Sequence, residues 1–257
     1  MVWDSEEELN LEIKKQAVYQ DYNTNKLNIV TYNIQHGRGM DGQFNLKRTA
    51  YVLTILDPDV VLLQEVDCRR PETRMSHQAA FLARMLNMNY IYAAVKHYRT
   101  GSYGNAILSC YPIFNPKNHI LPGEDGRRCC LQVEIETPGV SITVFNLHLG
   151  LKSAERYYHL EEIILPRLRA VSTPVLLGGD FNVLPESTEI SLVQKYLRDS
   201  FQANSGESIH TFSADKPRAR IDYIFLDKHW ELIDYKIISP TMASDHLPVH
   251  CEAAIKI

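Results

Sequence analysis

The stretch VLLGGDFNVLP, residues 175–185, joins a short apolar run to a carboxylate and a carboxamide. The run 175–177 is typical of a buried β-strand. Two glycines follow it and predict a sharp turn of the backbone where the strand leaves the core. Asp180 and Asn182 stand two positions apart, which places both side chains on one face if the backbone stays extended. The stretch therefore predicts a polar site at the end of a buried strand.

The same pattern recurs in TYNIQHG, VVLLQEVD, SITVFNLHLG, RIDYIFL and ASDHLPVH. The polar residues at the edges of these apolar runs are Asn33, His36, Gln64, Glu65, Asn146, His148, Asp222, Asp245 and His246. Carboxylates that meet at one buried edge of a sheet repel one another, which costs electrostatic free energy. A hard divalent cation bound by their oxygens reduces this repulsion. No zinc-ligand spacing is present, so the imidazoles are expected to act as hydrogen-bond donors beside the cation.

Charge and composition limit the class of protein. The chain has 257 residues, 45% hydrophobic and 23% charged, with a formal net charge of -4. This balance is ordinary for a globular protein and excludes a strongly basic protein that coats nucleic acid. It does not exclude an enzyme that contacts a few phosphates. Basic residues that could line a nucleic-acid groove are Lys96, Arg99, Arg127, Arg128, Lys216, Arg218 and Arg220.

Cysteine usage and the N-terminus bear on the compartment. Five cysteines occur without a CxxC spacing, and the neighbours Cys129 and Cys130 are not expected to bridge each other, which favours free thiols in a reducing compartment. The first 15 residues are acidic and show no signal-peptide pattern, and no apolar run reaches 18 residues. We therefore expect a cytoplasmic protein without stable membrane insertion, with a single domain whose core spans 27–257 after an N-terminal extension, 1–26.

Strands and helices alternate irregularly along the chain. Strand-like runs cover 27–34, 60–66, 106–109, 129–135, 141–149, 174–177, 221–226, 232–238 and 248–255. Helical spacing of apolar residues predicts helices around Leu46–Leu56, residues 79–86, 157–164 and 190–197. The runs 129–135 and 141–149 around Pro138-Gly139 predict a hairpin. Roughly nine strands exceed a typical single sheet. The pattern predicts an α/β domain with two packed mixed sheets flanked by helices.

Seven segments, in order, resemble the endonuclease/exonuclease/phosphatase superfamily, which includes deoxyribonuclease I. They are TYNIQHG, LLQEVD, YGNAILS, NLHLG, GGDFN, RIDYIF and SDHLPV, and they run through nearly the whole chain. The resemblance implies a deoxyribonuclease I-like four-layer α/β sandwich with two mixed sheets. It also implies cleavage of phosphate esters that depends on Mg²⁺, for which Mn²⁺ can substitute.

The resemblance assigns roles to several of the polar residues. Asn33 and Glu65 match the family's metal-site pair, and Asp245 matches a ligand of a second metal or of a bridging water. Asp180 and Asn182 match the residues that activate and orient the attacking water.

The remaining matches concern the phosphate that is cleaved. His148 matches a histidine that contacts it, and His246 matches the final histidine, which the Asp222 carboxylate holds. Asn105 and Arg128 fall where relatives contact the substrate phosphate, although Cys129 stands where many bacterial relatives have glycine.

These assignments lead to the hypothesis of a Mg²⁺-dependent phosphodiesterase or nuclease-type hydrolase in which water attacks phosphorus directly. A sphingomyelinase-like lipid phosphodiesterase or an inositol-phosphate phosphatase is the alternative, although no long aromatic insertion for membrane contact is present. A third hypothesis is a catalytically silent binding module of the same fold. The partner is a phosphate ester, with nucleic acid as one candidate, and the oligomeric state stays open.

Overall fold

In the computed structural model, residues 25–124, 126–201, 209–239 and 241–256 are described. Within them the chain forms twelve strands: β1 (Lys26–Asn33), β2 (Val60–Cys68), β3 (Asn89–His97), β4 (Ser102–Ser109), β5 (Ile113–Leu121), β6 (Arg128–Thr137), β7 (Val140–His148), β8 (Val175–Asp180), β9 (Arg198–Asp199), β10 (Asp222–Leu226), β11 (Trp230–Ile237) and β12 (Val249–Ile255). Residues 1–24 of the predicted N-terminal extension lie outside this part of the chain.

The strands form two sheets of six. The first has the order β11-β12-β1-β2-β4-β3, and the second has the order β5-β6-β7-β8-β10-β9. Each sheet contains one parallel pair, β1 with β2 and β7 with β8, and the other strand pairs within the described residues are antiparallel. The predicted hairpin is confirmed as β6 and β7, which pair in continuous register. The prediction of two mixed sheets is therefore confirmed.

The helices are α1 (Leu46–Leu56), α2 (Gln78–Leu86), α3 (Ser153–Tyr158), α4 (Leu165–Arg169) and α5 (Thr188–Gln194). A π-helical turn, His159–Ile164, joins α3 to α4. Helix α1 crosses from β1 to β2, and the α3–α4 segment crosses from β7 to β8. These crossovers are what a parallel pair requires, because its second strand must start where the first one started.

Alternation of side chains along the strands gives the four layers. Ile29 and Leu62 point between the sheets and pack with Val144 and Leu176 of the second sheet. Their neighbours in β1 and β2 point outward against α1 and α2, in a cluster that includes Tyr32. The outer face of the second sheet packs against the α3–α4 segment and α5. The core therefore consists of one central and two outer apolar layers, as the four-layer prediction requires.

The predicted sharp turn at Gly178 and Gly179 is wrong. They do not turn the chain out of the core; both lie inside β8, which continues to Asp180. A Cβ on Gly178 would lie 2.6 Å from Leu62 of the opposite sheet, and one on Gly179 would lie 1.9 Å from the Leu147 carbonyl oxygen. The glycines are therefore needed for close packing, with Gly179 also at a φ of +140°.

None of the five cysteines, all of which lie in the described part of the chain, forms a disulfide bond. Among the described residues, no helix combines the length and the apolar composition that crossing a bilayer requires.

Candidate active site

The carboxyl ends of the two parallel pairs lie together and carry four of the predicted site residues. Asn33 ends β1, Glu65 lies near the end of β2, His148 ends β7 and Asp180 ends β8. The strands are buried on both faces by the layers described above, so their ends are the first places where polar side chains can meet solvent and a ligand.

Asp180 is the centre of the hydrogen-bond network. Its Oδ2 accepts a hydrogen bond from Asn33 Nδ2 at 3.0 Å, and its Oδ1 accepts one from the Asn182 backbone N–H at 2.9 Å. His148 Nε2 and His246 Nε2 lie 3.4 and 3.7 Å from Oδ2. The carboxylate is therefore buried, oriented through both oxygens and faced by two imidazoles.

Burial sets the acid strength of Asp180. Removal from water and the nearby Asp222 carboxylate raise the pKa of Asp180 to about 7, although His246 and the Asn33 amide favour the ionised form. A nearby cation would lower this pKa, because positive charge stabilises the carboxylate. The group can therefore accept a proton near neutral pH.

His246 is held as a charged donor. Its Nδ1 lies 2.9 Å from Asp222 Oδ2, and its ring packs against Phe212 with a centroid distance of 4.9 Å. Burial opposes the charge, but Asp222 and Asp180 outweigh it and raise the pKa of His246 to about 10. The ring is therefore an imidazolium at neutral pH, with Nε2–H on the side of Asp180.

His148 has the opposite character. Burial and the positive charge of Arg128 hold its pKa well below the ordinary value for histidine, so the ring is neutral. Arg128 Nη1 donates to Nδ1 at 3.3 Å, and the Tyr103 hydroxyl lies 3.5 Å from the same atom. Since Nδ1 accepts, the ring proton is on Nε2, the atom that faces Asp180.

Glu65 occupies an irregular point of β2. The pairing with β4 is interrupted between Leu63 and Val66, and Glu65 itself has a φ of 56°. This bulge turns the Glu65 side chain out of the sheet and leaves 23% of it exposed. Asn33 is in register with Gln64, so Glu65 lies one residue beyond the strand neighbour of Asn33.

The donor set fits a hard divalent cation. Asn33 Oδ1 accepts one hydrogen bond, from the Gln35 backbone N–H at 3.1 Å, which leaves a lone pair free. Together with the Glu65 carboxylate it offers the oxygen ligands that Mg²⁺ prefers. Asp180, Asp222 and His246 also place ligand atoms within 4.8 Å of one another. That group is better suited to proton handling, because an imidazolium has no lone pair for a metal.

Asn182 and Asp245 lie at the edge of the network. Asn182 has a φ of 52°, so the backbone is not extended there, and its side-chain Nδ2 donates to the Leu149 carbonyl at 3.0 Å. Asp245 accepts hydrogen bonds from Gln35 Nε2 at 2.9 Å and from Ser244 Oγ at 3.3 Å. Asn182 retains an amide oxygen and one N–H for a water, and Asp245 retains further acceptor lone pairs.

Two sequence predictions about phosphate contacts change. Asn105 is buried, and its Nδ2 donates to the Cys129 and Asn146 carbonyls at 3.2 and 3.4 Å, so its donors tie the two sheets together and are not available to a phosphate. Arg220, predicted for a nucleic-acid groove, is buried in a two-bond ion pair with Asp199. Its charge is satisfied inside the protein.

Buried amides connect the two sheets beneath the site. Gln64 Nε2 donates to Asn146 Oδ1 at 2.8 Å, and Asn146 Nδ2 donates to the Leu63 and Ala106 carbonyls at 2.9 and 2.8 Å. Both side chains are fully buried. Gln64 directly precedes Glu65 and Asn146 lies two residues before His148, so this amide bridge joins the two halves of the site. Sequence reasoning found both residues at strand ends but gave them no role.

The structure also shows a wall formed by Tyr103, His36 and Asp67, of which sequence reasoning had named only His36. Arg128 Nη1 donates to the Tyr103 hydroxyl at 3.0 Å, and the Tyr103 ring lies 5.2 Å from the His36 ring, centroid to centroid. His36 Nδ1 lies 3.0 Å from Oδ1 of the buried Asp67. Asp67 follows the QE pair in β2, but its inward direction depends on the bulge at Glu65, which the sequence does not reveal.

A family model described as the endonuclease/exonuclease/phosphatase family matches residues 30–246. The chain belongs to this family. The match extends from β1 to His246 and so includes each predicted site residue. Membership indicates phosphoesterase activity, and it agrees with the strand-end carboxylates, amides and imidazoles of the site.

Several proteins are similar to this chain in sequence or in structure. The YbhP protein of Escherichia coli (strain K12) is 30% identical over 218 residues, which cover 77% of this chain and 83% of YbhP. A family structure from Beutenbergia cavernae has a TM-score of 0.73 at 23% identity and covers 90% of this chain and 72% of its own. The mannosyl-6-phosphatase of Bacteroides thetaiotaomicron has a TM-score of 0.68 at 21% identity and covers 89% of this chain and 100% of its own.

Proposed function

We propose that the protein is a divalent-metal-dependent phosphodiesterase of nuclease type in which water attacks phosphorus directly. The observation that supports this most is the buried chain of contacts from Asn33 through Asp180 to His246 and Asp222. It combines a proton acceptor with a positively charged donor within one pocket. Serine and cysteine nucleophiles are not required.

The cation is assigned to Asn33 and Glu65, with Mg²⁺ as the expected ion and Mn²⁺ as a substitute. When bound, it would neutralise phosphate charge and polarise the P–O bond. Asn33 contributes a neutral oxygen, so most of the positive charge of the ion stays available to the substrate. The proposed role of Asp245 is to bind a second cation or a bridging water.

Asp180 is the proposed general base. Its two oxygens are held by the Asn33 amide and the Asn182 N–H, so the carboxylate is directed before substrate binds. It accepts a proton from the attacking water as the bond to phosphorus forms. Asn182 orients that water through the amide atoms that are left after its bond to Leu149.

The two histidines and Arg128 stabilise the phosphate. The His246 imidazolium places Nε2–H against oxygens that gain negative charge as phosphorus becomes five-coordinate. His148 offers a neutral Nε2–H from the other side of Asp180, and Arg128 adds a fixed positive charge behind it. Removal of a single donor of this kind typically costs about 2.7–4 kcal/mol of barrier.

Hydrolysis assays with matched variants test the proposal. Bis-p-nitrophenyl phosphate and plasmid DNA are incubated with Mg²⁺ or Mn²⁺, with and without EDTA, and we expect hydrolysis that EDTA abolishes. Asp180→Ala and His246→Ala should lose it, whereas His229→Ala, far from the site, should retain it. Metal binding without turnover on a panel of DNA, RNA, abasic DNA, sphingomyelin, inositol phosphates and sugar phosphates would instead support a silent binding module.

A further inference from the structure

A second imidazole–carboxylate pair lies on the wall of the site that the proposed mechanism does not use. His36 Nδ1 lies 3.0 Å from Asp67 Oδ1, and Asp67 is almost fully buried. The other ring nitrogen, Nε2, lies 3.4 Å from Glu65 Oε2. His36 thus joins a buried carboxylate on one side to the proposed metal-binding carboxylate on the other.

The surroundings hold this pair rigidly. Gln78, fully buried, donates from Nε2 to the His36 carbonyl at 2.6 Å and accepts from the Asp67 backbone N–H at 2.8 Å. Thr73 Oγ1 donates to Asp67 Oδ2 at 3.2 Å. The position of His36 is therefore fixed by Asp67, Gln78 and Thr73.

Both residues that face each other have a costly backbone conformation. His36 and Glu65 each have a φ of 56°, in the left-handed region that non-glycine residues rarely adopt. Such conformations persist where the surrounding structure enforces them, and they concentrate at functional sites. In this pair, the two left-handed conformations bring His36 Nε2 and Glu65 Oε2 to face each other. The side chains are 29% and 23% exposed.

The distance between these atoms fits two ligands of one ion. The separation of 3.4 Å is longer than the roughly 2.7–2.9 Å of a charge-assisted hydrogen bond. Neighbouring ligands of an octahedral ion with bonds of about 2.1 Å lie about 3 Å apart. A histidine that binds a metal through one nitrogen commonly gives its other N–H to a carboxylate, which is the arrangement of His36 and Asp67.

We propose that His36 is a ligand of the cation held by Glu65 and Asn33, oriented by Asp67 as a positioning residue. This inference rests on the proposed function, since that function assigns the cation to Glu65. The cation takes the place of a proton on Nε2, which leaves to solvent, while Nδ1–H stays on Asp67. A nitrogen ligand favours a first-row transition ion such as Mn²⁺ over Mg²⁺, which prefers oxygen ligands alone.

Metal binding without substrate tests this directly. Calorimetric titration of the full chain with Mn²⁺ and with Mg²⁺ should show tighter binding of Mn²⁺. His36→Ala should weaken Mn²⁺ binding at least about tenfold and change Mg²⁺ binding less than about threefold. Asp67→Asn should weaken Mn²⁺ binding about 10- to 100-fold. The matched control is His229→Ala, which removes another carboxylate-paired histidine and should change neither affinity.

Pulsed electron paramagnetic resonance of bound Mn²⁺ provides a readout that a structural role would not change. The wild-type protein should show coupling to the ¹⁴N nucleus of an imidazole, which His36→Ala should remove and His229→Ala should keep. His36→Gln, with an amide in place of the ring, should keep Mg²⁺ binding near the wild-type value and lack the imidazole ¹⁴N signal. Thermal unfolding of each variant shows whether the fold is retained.

The outcomes separate the two proposals. Loss of all metal binding in Glu65→Gln, with Mn²⁺ affinity and ¹⁴N coupling unchanged in His36→Ala, would overturn the inference about His36 and leave the proposed function standing. Metal binding that Glu65→Gln does not affect would overturn the cation site of the proposed function itself. Equal affinity for Mn²⁺ and Mg²⁺, or tighter binding in His36→Ala, would also contradict a ligand role.

Discussion

Strand β10 has an aspartate at each end, and each aspartate lies 2.9 Å from the Nδ1 atom of a histidine. Asp222 begins the strand and pairs with His246, whereas Asp227 follows its last residue and pairs with His229. The hydrogen bonds are the same length. The surroundings differ: 6% of the His246 side chain is exposed, whereas 42% of the His229 side chain is exposed.

The first pair is buried and faces a second carboxylate, Asp180, which is opposite Asp222 in the strand register. The second pair lies at the far end of the strand, where Asp227 mainly serves to accept the Val175 and His229 backbone N–H groups at 3.1 and 2.9 Å. A histidine–aspartate hydrogen bond is therefore not in itself a sign of a catalytic site. Burial and the convergence of further polar groups distinguish the two ends.

The largest expected effect comes from the carboxylate that only the buried end has. Asp180→Asn keeps the shape of the side chain but removes the proton acceptor. We expect kcat on bis-p-nitrophenyl phosphate to fall between roughly 100- and 10,000-fold. The same assay on Asp227→Asn should give the wild-type rate. Equal losses of kcat in both variants would contradict the proposed difference between the two ends of β10.

The next effect concerns the histidines. His246→Gln should lower kcat about 100- to 1,000-fold, because it removes a charged donor from the developing negative charge. His229→Gln should stay within about twofold of wild type, since its ring lies at the other end of β10. Steady-state kinetics at saturating metal measure both, and a slow His229→Gln would contradict the assignment.

The pH dependence of activity tests whether Asp222 stabilises the charged form of His246. The imidazolium of His246 is lost as pH rises through its pKa of about 10, so activity should decline on that alkaline side. Asp222 stabilises the charged ring, so Asp222→Asn should lower this pKa and move the alkaline limb down by about 1–3 pH units. An alkaline limb that stays in place while the rate falls would show that Asp222 acts in another way.

Stability should depend on the amide bridge more than on the exposed pair. Gln64→Leu leaves the Asn146 amide oxygen without its donor in the core and should lower the free energy of unfolding by about 1–3 kcal/mol. Urea unfolding measures this, with the exposed Gln194→Leu as the control at less than about 0.5 kcal/mol. His229→Ala should cost under about 1 kcal/mol, because exposed ion pairs contribute little.

The interior strands could be predicted from sequence because they are buried on both faces. The mainly apolar runs at 60–66 and 141–149 favour strands buried on both faces, and they correspond to β2 and β7. The strands that were missed, β3, β5 and the two-residue β9, lie at sheet edges. In β5 the register shifts between Phe114 and Lys117, and most residues are partly exposed, so neither an apolar run nor a strict alternation marks it.

The candidate site was predictable where chemistry and strand ends coincide. Asn33, His148, Asp180 and His246 were chosen as polar groups beside apolar runs, and the structure brings them into contact. Asn105 followed the same rule, but its donors are used between the sheets. Polar groups that serve a ligand and polar groups that tie two sheets together have the same sequence pattern. Only their direction in three dimensions separates them.

The contact between His36 and Asp67 could not be predicted from the sequence. It depends on a left-handed backbone conformation at His36 and Glu65, which are not glycines. His36 was marked only as a polar residue after an apolar run, with nothing to pair it with Asp67, and Asp67 depends on the bulge at Glu65 for its direction. Close packing decides such conformations after the sheets have formed. Local sequence preference would have assigned an ordinary turn and an ordinary strand.

The division of the pocket between two sheets has a consequence for how the protein acquires activity after synthesis. Asn33 and Glu65 belong to one sheet and His148, Asp180 and Asp222 to the other, while His246 lies between β11 and β12. Neither sheet alone carries both the proposed metal ligands and the proposed general base. We therefore expect recovery of ester hydrolysis after denaturation to report the moment when both sheets have docked.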